Sequence, residues 1–476
     1  MNLQEIQAEE EAAKRWAGCL DEVYARIARR FARSEQRQRA RTYLQGLLSP
    51  IERKNGWQLA EAAGEANPYG YQELLSRAQW EADEVRDDLL DLVREKMADP
   101  AAVVVLDETG FVKKGIKSVG VAPQYSGTAG KISNCQIGVF VASAAEKGQV
   151  LVDRELYLPR EWTDDRERCE EAGVPEEVTF ATKLVLARRM LERVLAHGLP
   201  FAWVTADSVY GADYALRRFL LEHQIPFVLA VAPNHQVRLG WEEGYASTRL
   251  DEWLARRGRV RWYRLSAGWG SKGPRWFDWT WWKLDIDVPD GWQAWVVVRR
   301  SVSDPTDLLF HLVCAKAETT LHQIVQVAGQ RWKVEEAIEQ SKEECGLDHY
   351  EVRSWTGWYR HVTLALLAQF CATLMTEQAN AKQKKKPGSR STVRAVCPAS
   401  SAGEDWSPAD PLHAARGAAL DLAGVLAAGG NHRSRRCLVV FPSASSSGGS
   451  SLSLYSAFGA QYFVTPTVGL AHQIMG

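Results

Sequence analysis

The spacing of apolar positions changes three times along this chain, and each change marks a different architecture. Up to about residue 98, apolar side chains recur at helical intervals among frequent Glu and Ala, as in Leu20, Val23, Ile27 and Phe31. The stretch Leu44-Gln-Gly-Leu-Leu-Ser-Pro50 closes one such helix, because Gly and Pro do not continue it. Asn67-Pro-Tyr-Gly-Tyr71 is a turn ahead of another helix over about 72–97. From about 101, β-branched runs take over. Val103-Val-Val-Leu106 ends in Asp107, and Gln136–Ser143 and Leu151–Leu158 read as two further strands. A helix over 180–197, a strand over 201–206, a helix over 211–223 and a strand over 226–231 follow. A meander followed by alternation predicts an α/β fold, a mixed sheet covered by helices.

Residues 235–316 differ again. Ten of the chain's 19 Trp fall here, and alternation in Trp276–Leu284 and Trp292–Arg299 predicts strands of a β-rich insertion. A long helix is expected over 319–344 and another over 357–379. Lys382–Pro387 reads as a basic linker. Beyond it Ser, Ala and Gly dominate, as in Ser443-Ala-Ser-Ser-Ser-Gly-Gly-Ser-Ser, and the tail reads as weakly folded or disordered. The segments are therefore 1–98 (helical), 99–234 (sheet and helices), 235–316 (insertion), 317–380 (helices) and 381–476 (linker and tail).

Composition narrows the function less than the pattern does. With 46% apolar and 25% charged residues over 476 positions, this is an ordinary globular balance with room for a large core. The net charge is −1, so a nucleic-acid surface would have to come from local Lys and Arg clusters. One such cluster holds Arg26, Arg29, Arg30, Arg33, Arg37, Arg39 and Arg41. The eight Cys form no C-x-x-C pair, which argues against zinc knuckles and fits free thiols in a reducing cytoplasm. The N-terminus is acidic and polar, unlike a signal peptide, and no apolar run reaches the ~18 residues a membrane span needs.

The candidate chemistry is carboxylate chemistry. Asp107 and Asp207 each follow a buried strand, at the edge where α/β sheets collect ligands, although a cap or turn residue would look the same. Arg331, Glu335, Ile338 and Lys342 fall at i, i+4, i+7 and i+11, one stripe of a helix. Arg331 and Lys342 then flank Glu335 on one face, where cations can hold phosphate, or Arg331 and Glu335 form a plain i, i+4 ion pair. Glu336 and Glu339 lie off the stripe. Three hard carboxylates suit Mg²⁺, and two such ions can clamp both oxygens of a phosphodiester.

The spacing Arg331-x-x-x-Glu335-x-x-x-x-x-x-Lys342 resembles the R, E and K of the Y-x-x-R-x-x-x-E-x-x-x-x-x-x-K signature of bacterial insertion-sequence DDE transposases of the cut-and-paste type. The signature's Tyr position is Ala328. Leu106–Gly115, Val152–Pro159, Ala206–Gly211 and Gly346–Trp355 are similar to stretches of the same proteins, so the resemblance covers about residues 20–385. It implies an RNase H-like catalytic core with a β-rich insertion before the third acid, and a helical N-terminal DNA-binding domain. It also implies Asp107, Asp207 and Glu335 as ligands of two Mg²⁺ ions, with Mn²⁺ as an alternative, and Arg331 and Lys342 as their cationic partners. The implied activity is binding of terminal inverted repeats in double-stranded DNA, end cleavage by activated water, and joining of 3′-hydroxyls to target DNA. A homodimer in the synaptic complex, a nucleoid-associated place in the bacterial cytoplasm and no membrane contact are expected with it. The rival readings are a DNA-binding regulator that has lost catalysis and an RNase H-like nuclease that never joins.

Further DNA contacts are open to Arg26, Arg30, Arg33 and Arg37, to Lys113 and Lys114 after the first Asp, and to His349 and Arg353 after the signature helix. For each, a solvated or packed structural role stands beside the DNA role. Most of the insertion's Trp read as core, though one could stack on a displaced base. After Gly388-Ser-Arg390 the family-like character stops, which points to a reading-frame change near 391 or a degenerate end.

Overall fold

The computed structural model describes residues 17–127, 130–238, 247–270 and 273–385, with side chains to 380. The tail beyond about 391 lies outside the described residues. Contacts group the chain up to Glu377 into one compact unit; of a second, only the helical residues 378–385 are described.

The first unit begins with helices: α1 (17–27), α2 (Ser34–Leu48), α3 (Gly56–Ala62), α4 (Tyr69–Ser76) and α5 (Ala82–Met97). The single helix expected over 72–97 is broken between Ser76 and Ala82. The carbonyls freed by the break are taken up by the buried Arg360, whose Nη2 donates to Ala78 O (2.7 Å) and Trp80 O (2.6 Å). Such a tertiary partner cannot be read from local periodicity.

Then come β1 (Val103–Val112), β2 (Ala122–Ser126), β3 (Lys131–Ala145), β4 (Gly148–Tyr157), α6 (Arg160–Thr163), α7 (Arg166–Glu171), α8 (Lys183–Ala196), β5 (Trp203–Ala206), α9 (Ser208–Gly211), α10 (Tyr214–Glu222) and β6 (Phe227–Val231). After the β7–β8 hairpin (Gln236–Arg238, Ser247–Arg249) and α11 (Leu250–Arg256), four strands follow: β9 (Tyr263–Gly270), β10 (Gly273–Leu284), β11 (Trp292–Ser301) and β12 (Leu308–Lys316). The described chain ends with α12 (Leu321–Gln330), α13 (Trp332–Cys345) and α14 (Trp355–Lys385). Helix α14 thus runs into the stretch expected to be linker.

One mixed sheet organises the unit. Its order is β2-β3-β1-β5-β6-β12-β11-β10-β9, with β4 also on β3. β1, β5 and β6 are parallel neighbours, reached by helical crossovers, while β3 and β4 lie antiparallel on the other flank of β1. A large mixed sheet covered by helices agrees with an RNase H-like core. The Trp-rich stretch adds its strands to this same sheet, because β12 pairs antiparallel with β6 from Phe310↔Val231 to Cys314↔Phe227. Its Trp are largely core: Trp279, Trp292 and Trp295 are buried, and Trp281 stacks on Trp295.

The N-terminal helices are fastened to the core by buried polar contacts. Tyr43 Oη lies 2.8 Å from His361 Nδ1 on α14. Lys54 Nζ donates to the carbonyls of Leu47, Ser49 and Glu344. On β4 the fully buried Asp153 meets Arg86 of α5 (3.3 Å) and Arg193 of α8 (2.8 Å). Burial alone would raise its carboxyl; the guanidiniums of Arg193 and Arg86 outweigh that and hold it below the usual carboxylate range.

Candidate active site

Sheet register brings the first two acids together. β1 and β5 pair in parallel from Val103↔Trp203 to Leu106↔Ala206, and the next residue on each strand is an aspartate. Asp107 and Asp207 therefore emerge side by side where the parallel pairing stops. Asp107 is not a strand end, as its apolar run suggested. β1 continues to Val112, because β3 pairs along its whole length, to Val112↔Cys135. Asp207 does leave the sheet. Its Oδ1 accepts from Val209 N (2.9 Å) and Tyr210 N (3.3 Å) as the N-cap of α9. Gly211 lets this turn lie on β6, since a Cβ there would stand 1.8 Å from Ala230 O. Asp107 Oδ1 accepts from Glu108 N at 2.8 Å, so each carboxylate uses one oxygen on the backbone.

Both acids are harder to ionise than usual. Burial pushes Asp107 up to about 7; the Glu108 N–H opposes it, the charges of Asp207 and Glu108 add to it, and Arg331 opposes it again. Burial and then the Glu108 charge raise Asp207, against its two cap N–H groups and Arg331. Two crowded oxygen donors whose charged forms are disfavoured by burial and by a neighbouring carboxylate fit a hard divalent cation. Among the described residues, however, no three His, Cys, Asp or Glu stand together as a metal-holding group.

The third acid is engaged by an arginine instead. The helix expected over 319–344 breaks at Arg331 into α12 and α13, with Arg331 as the helical junction residue. The predicted stripe survives. Arg331 Nη1 lies 2.7 Å from Glu335 Oε1, so the i, i+4 ion pair is formed, with both side chains about one-third exposed (26% and 35%). The same guanidinium is felt by Asp107 and Asp207, so Glu335 borders the site through Arg331. Lys342 Nζ donates to Thr109 Oγ1 (2.8 Å) and Gly110 O (3.3 Å), tying α13 to β1 two residues beyond Asp107.

Three neighbours escaped the sequence reading. Glu108 takes a hydrogen bond from Tyr210 Oη and an ion pair from Lys183 Nζ (2.7 Å), on the opposite face of β1 from Thr109 and Lys342. Its only sequence signal was its place beside Asp107. Tyr210 and Lys183 carried none that distinguishes them from packing residues.

The predicted DNA contacts are scattered. Arg26 pairs with Glu95, and Arg30 with the buried Asp88 (2.8 Å), so these two are engaged within the fold. Arg33 and Arg37 are exposed. Lys114 is exposed, whereas Lys113 Nζ lies 3.5 Å from the centre of the Tyr350 ring and burial lowers it to about 8. His349 accepts from Lys54 N at 3.1 Å, facing the N-terminal helices. Arg353 is exposed beside Lys117 and Arg168 in a groove of about 610 Å³.

Residues 26–266, just over half of the 476, match the family model of DDE superfamily endonucleases. The chain belongs to that DDE superfamily. A transposase DDE domain model matches residues 173–371, so the two matches together span all three candidate acids of this DDE chain. A probable transposase for insertion sequence element IS701 from Microchaete diplosiphon is 27% identical over 195 residues, 41% of this chain and 48% of the relative. The DDE chain thus spans about half the length of the curated relative it matches. These findings group it with insertion-sequence DDE transposases, whose superfamily uses divalent metal ions. Among the described residues, no helix is long and apolar enough to cross a membrane.

Proposed function

We propose that this protein is a DNA transposase, and that Asp107, Asp207 and Glu335 form its cleavage centre. The observation that carries the reading is the adjacency of Asp107 and Asp207 at the end of the β1–β5 pairing, where the charge of Arg331 is felt by both. Bound divalent ions, Mg²⁺ or Mn²⁺ and two in number, would supply an activated water and charge neutralisation at the phosphate. The chain's own residues do the rest by placement. Asp107 and Asp207 are fixed by backbone N–H groups, so their remaining oxygens are pre-aimed. Arg331 offers the planar fork that suits a phosphate, and a phosphate taking that fork releases Glu335 toward the aspartates. Lys342 holds α13 against β1 and keeps Glu335 in range.

The substrate in this reading is double-stranded DNA with terminal inverted repeats. The ends are cut, held by a homodimer, and their 3′-hydroxyls attack target DNA without a covalent enzyme intermediate. The exposed Arg33, Arg37, Lys114 and Arg353 are the cations of the predicted set without an ion pair among the described residues, and the first candidates for phosphate contact. The test is a strand-transfer assay using 3′-labelled duplexes built from the repeats that flank the gene. Joined product supports a transposase; cleavage without joining leaves a nuclease; binding without cleavage leaves a regulator.

A further inference from the structure

Beyond the last paired residues of β1 and β5, Leu106 and Ala206, the two chains part: β1 stays with β3, while the other turns into α9. One side chain bridges the gap. Tyr210, fully buried in that turn, donates its backbone N–H to Asp207 Oδ1 (3.3 Å) and its hydroxyl to Glu108 Oε2. Glu108 follows Asp107 directly, so the bridge closes a ring. Leu106, Asp107 and Glu108 form one side of it, and Ala206, Asp207 and Tyr210 the other. The same turn rests on β6 through Gly211. Lys183, the first residue of α8, completes the frame with Nζ 2.7 Å from Glu108 Oε1.

The use of oxygens separates Glu108 from the two aspartates. Asp107 and Asp207 each give Oδ1 to backbone N–H groups. Glu108 has an ammonium on one oxygen and a hydroxyl on the other, and its side chain is only 18% exposed. A carboxylate held at both oxygens from two different elements is a strut rather than an open ligand. Contacts of this kind aim the ligands of a metal, and losing one costs roughly 10–100-fold in affinity. Lys183 adds a signature of its own. Its charge repels a divalent ion, whereas its hold on Glu108 favours one, so the two effects have opposite signs.

We propose that Tyr210 and Lys183 are positioning residues of the cleavage centre: acting through Glu108, they set the separation of Asp107 and Asp207 and so the affinity for the divalent ion. This deepens the proposed cleavage centre and rests on it for the metal. Neither residue touches the ion or the DNA. Tyr210 acts on both strands at once, through Glu108 and through the cap at Asp207.

The test is metal binding, which does not depend on cleavage. Full-length wild type, Tyr210→Phe, Lys183→Met and Lys183→Arg are titrated with Mn²⁺, and free Mn²⁺ is read from its electron paramagnetic resonance signal. The titrations run at about pH 8, above the pKa of about 7 of Asp107, and below the melting temperature of every variant. Tyr210→Phe leaves every charge in place and should weaken binding by roughly 10-fold. Lys183→Met should weaken it by a similar factor, against the sign its lost charge alone would give. Lys183→Arg should restore most of the affinity, since a guanidinium keeps the ion pair. Arg189→Gln, an exposed charge on the same helix, should leave it unchanged. If Tyr210→Phe fails to fold, the two Lys183 variants decide. Either equal affinity in Tyr210→Phe or tighter binding in Lys183→Met overturns the proposal and leaves the cleavage centre standing. Wild type that binds no Mn²⁺, or Asp107→Asn that binds it as tightly as wild type, overturns the centre and the proposal with it.

Discussion

Arg331 and Glu335 are joined at 2.7 Å, and the guanidinium that holds the third acid is also the one whose charge reaches the first two. A partly exposed ion pair of this kind is worth little to the fold, about 0–1 kcal/mol. Its role lies in geometry. Glu335→Ala should therefore change the melting temperature by only a degree or two, while DNA cleavage falls below detection. A large loss of stability with cleavage retained would make the pair structural.

Arg331→Lys keeps the charge and loses the planar fork. Cleavage should fall by about 10²-fold, with DNA affinity reduced far less, because the fork positions phosphate for the chemical step. Kinetic traces at saturating DNA measure this. A variant with unchanged rate and weakened binding would place Arg331 in ground-state binding alone.

The raised aspartates give the metal-free protein a pH signature. Asp107 folds with a pKa of about 7, above its unfolded value, so the native state holds a proton between those two values that the unfolded chain has released. Stability without metal should thus decline as pH rises toward about 8. Asp107→Asn should flatten that decline, and Mg²⁺ should raise the melting temperature more at about pH 8 than at about pH 6. Melting curves in EDTA and in Mg²⁺ check both. A Mg²⁺ effect that does not depend on Asp107 would remove this residue from the metal site.

Glu108 was invisible as a functional residue in the sequence, yet its charge raises both aspartates. Glu108→Gln should lower both, and so move the acid limb of the cleavage–pH profile to lower pH. Tyr210→Phe should move it less, since the hydroxyl carries no charge. An unmoved limb in Glu108→Gln would mean that another group sets the profile.

What the sequence made legible was local or periodic. The strand runs before Asp107 and Asp207 and the stripe through Arg331, Glu335 and Lys342 depend on spacing alone, and the structure keeps them. What it hid was set by distant partners. β1 extends past Asp107 because β3 accompanies it; helix 72–97 breaks because Arg360 satisfies its carbonyls; the helix over 319–344 breaks at Arg331, where α12 seats on β9. The cavity lined by Arg275, Arg299 and Arg331 joins β10, β11 and a helix junction, which no sequence window contains.

The basic run at Arg26–Arg41 divides by partner. Arg30 holds Asp88, only 1% exposed, through two hydrogen bonds, so Arg30→Ala should cost about 2 kcal/mol of stability. Arg33→Ala and Arg37→Ala should leave the melting temperature alone and each reduce the salt slope of duplex binding by ~0.9. Urea melts and salt titrations separate the two effects. Slopes equal to wild type would remove this face from the DNA interface.

The adjacency of Asp107 and Asp207 is tested most directly by cutting. Wild type, Asp107→Asn and Asp207→Asn are incubated with Mg²⁺ and a duplex carrying the repeat that flanks the gene, at matched DNA occupancy. Both substitutions keep the side chain's shape, remove its charge and exchange one acceptor oxygen for an NH2 donor. The account predicts a nick at the repeat's outer end with wild type and none with either variant, each bound as tightly as wild type. An Asn variant that nicks at the wild-type rate would contradict it.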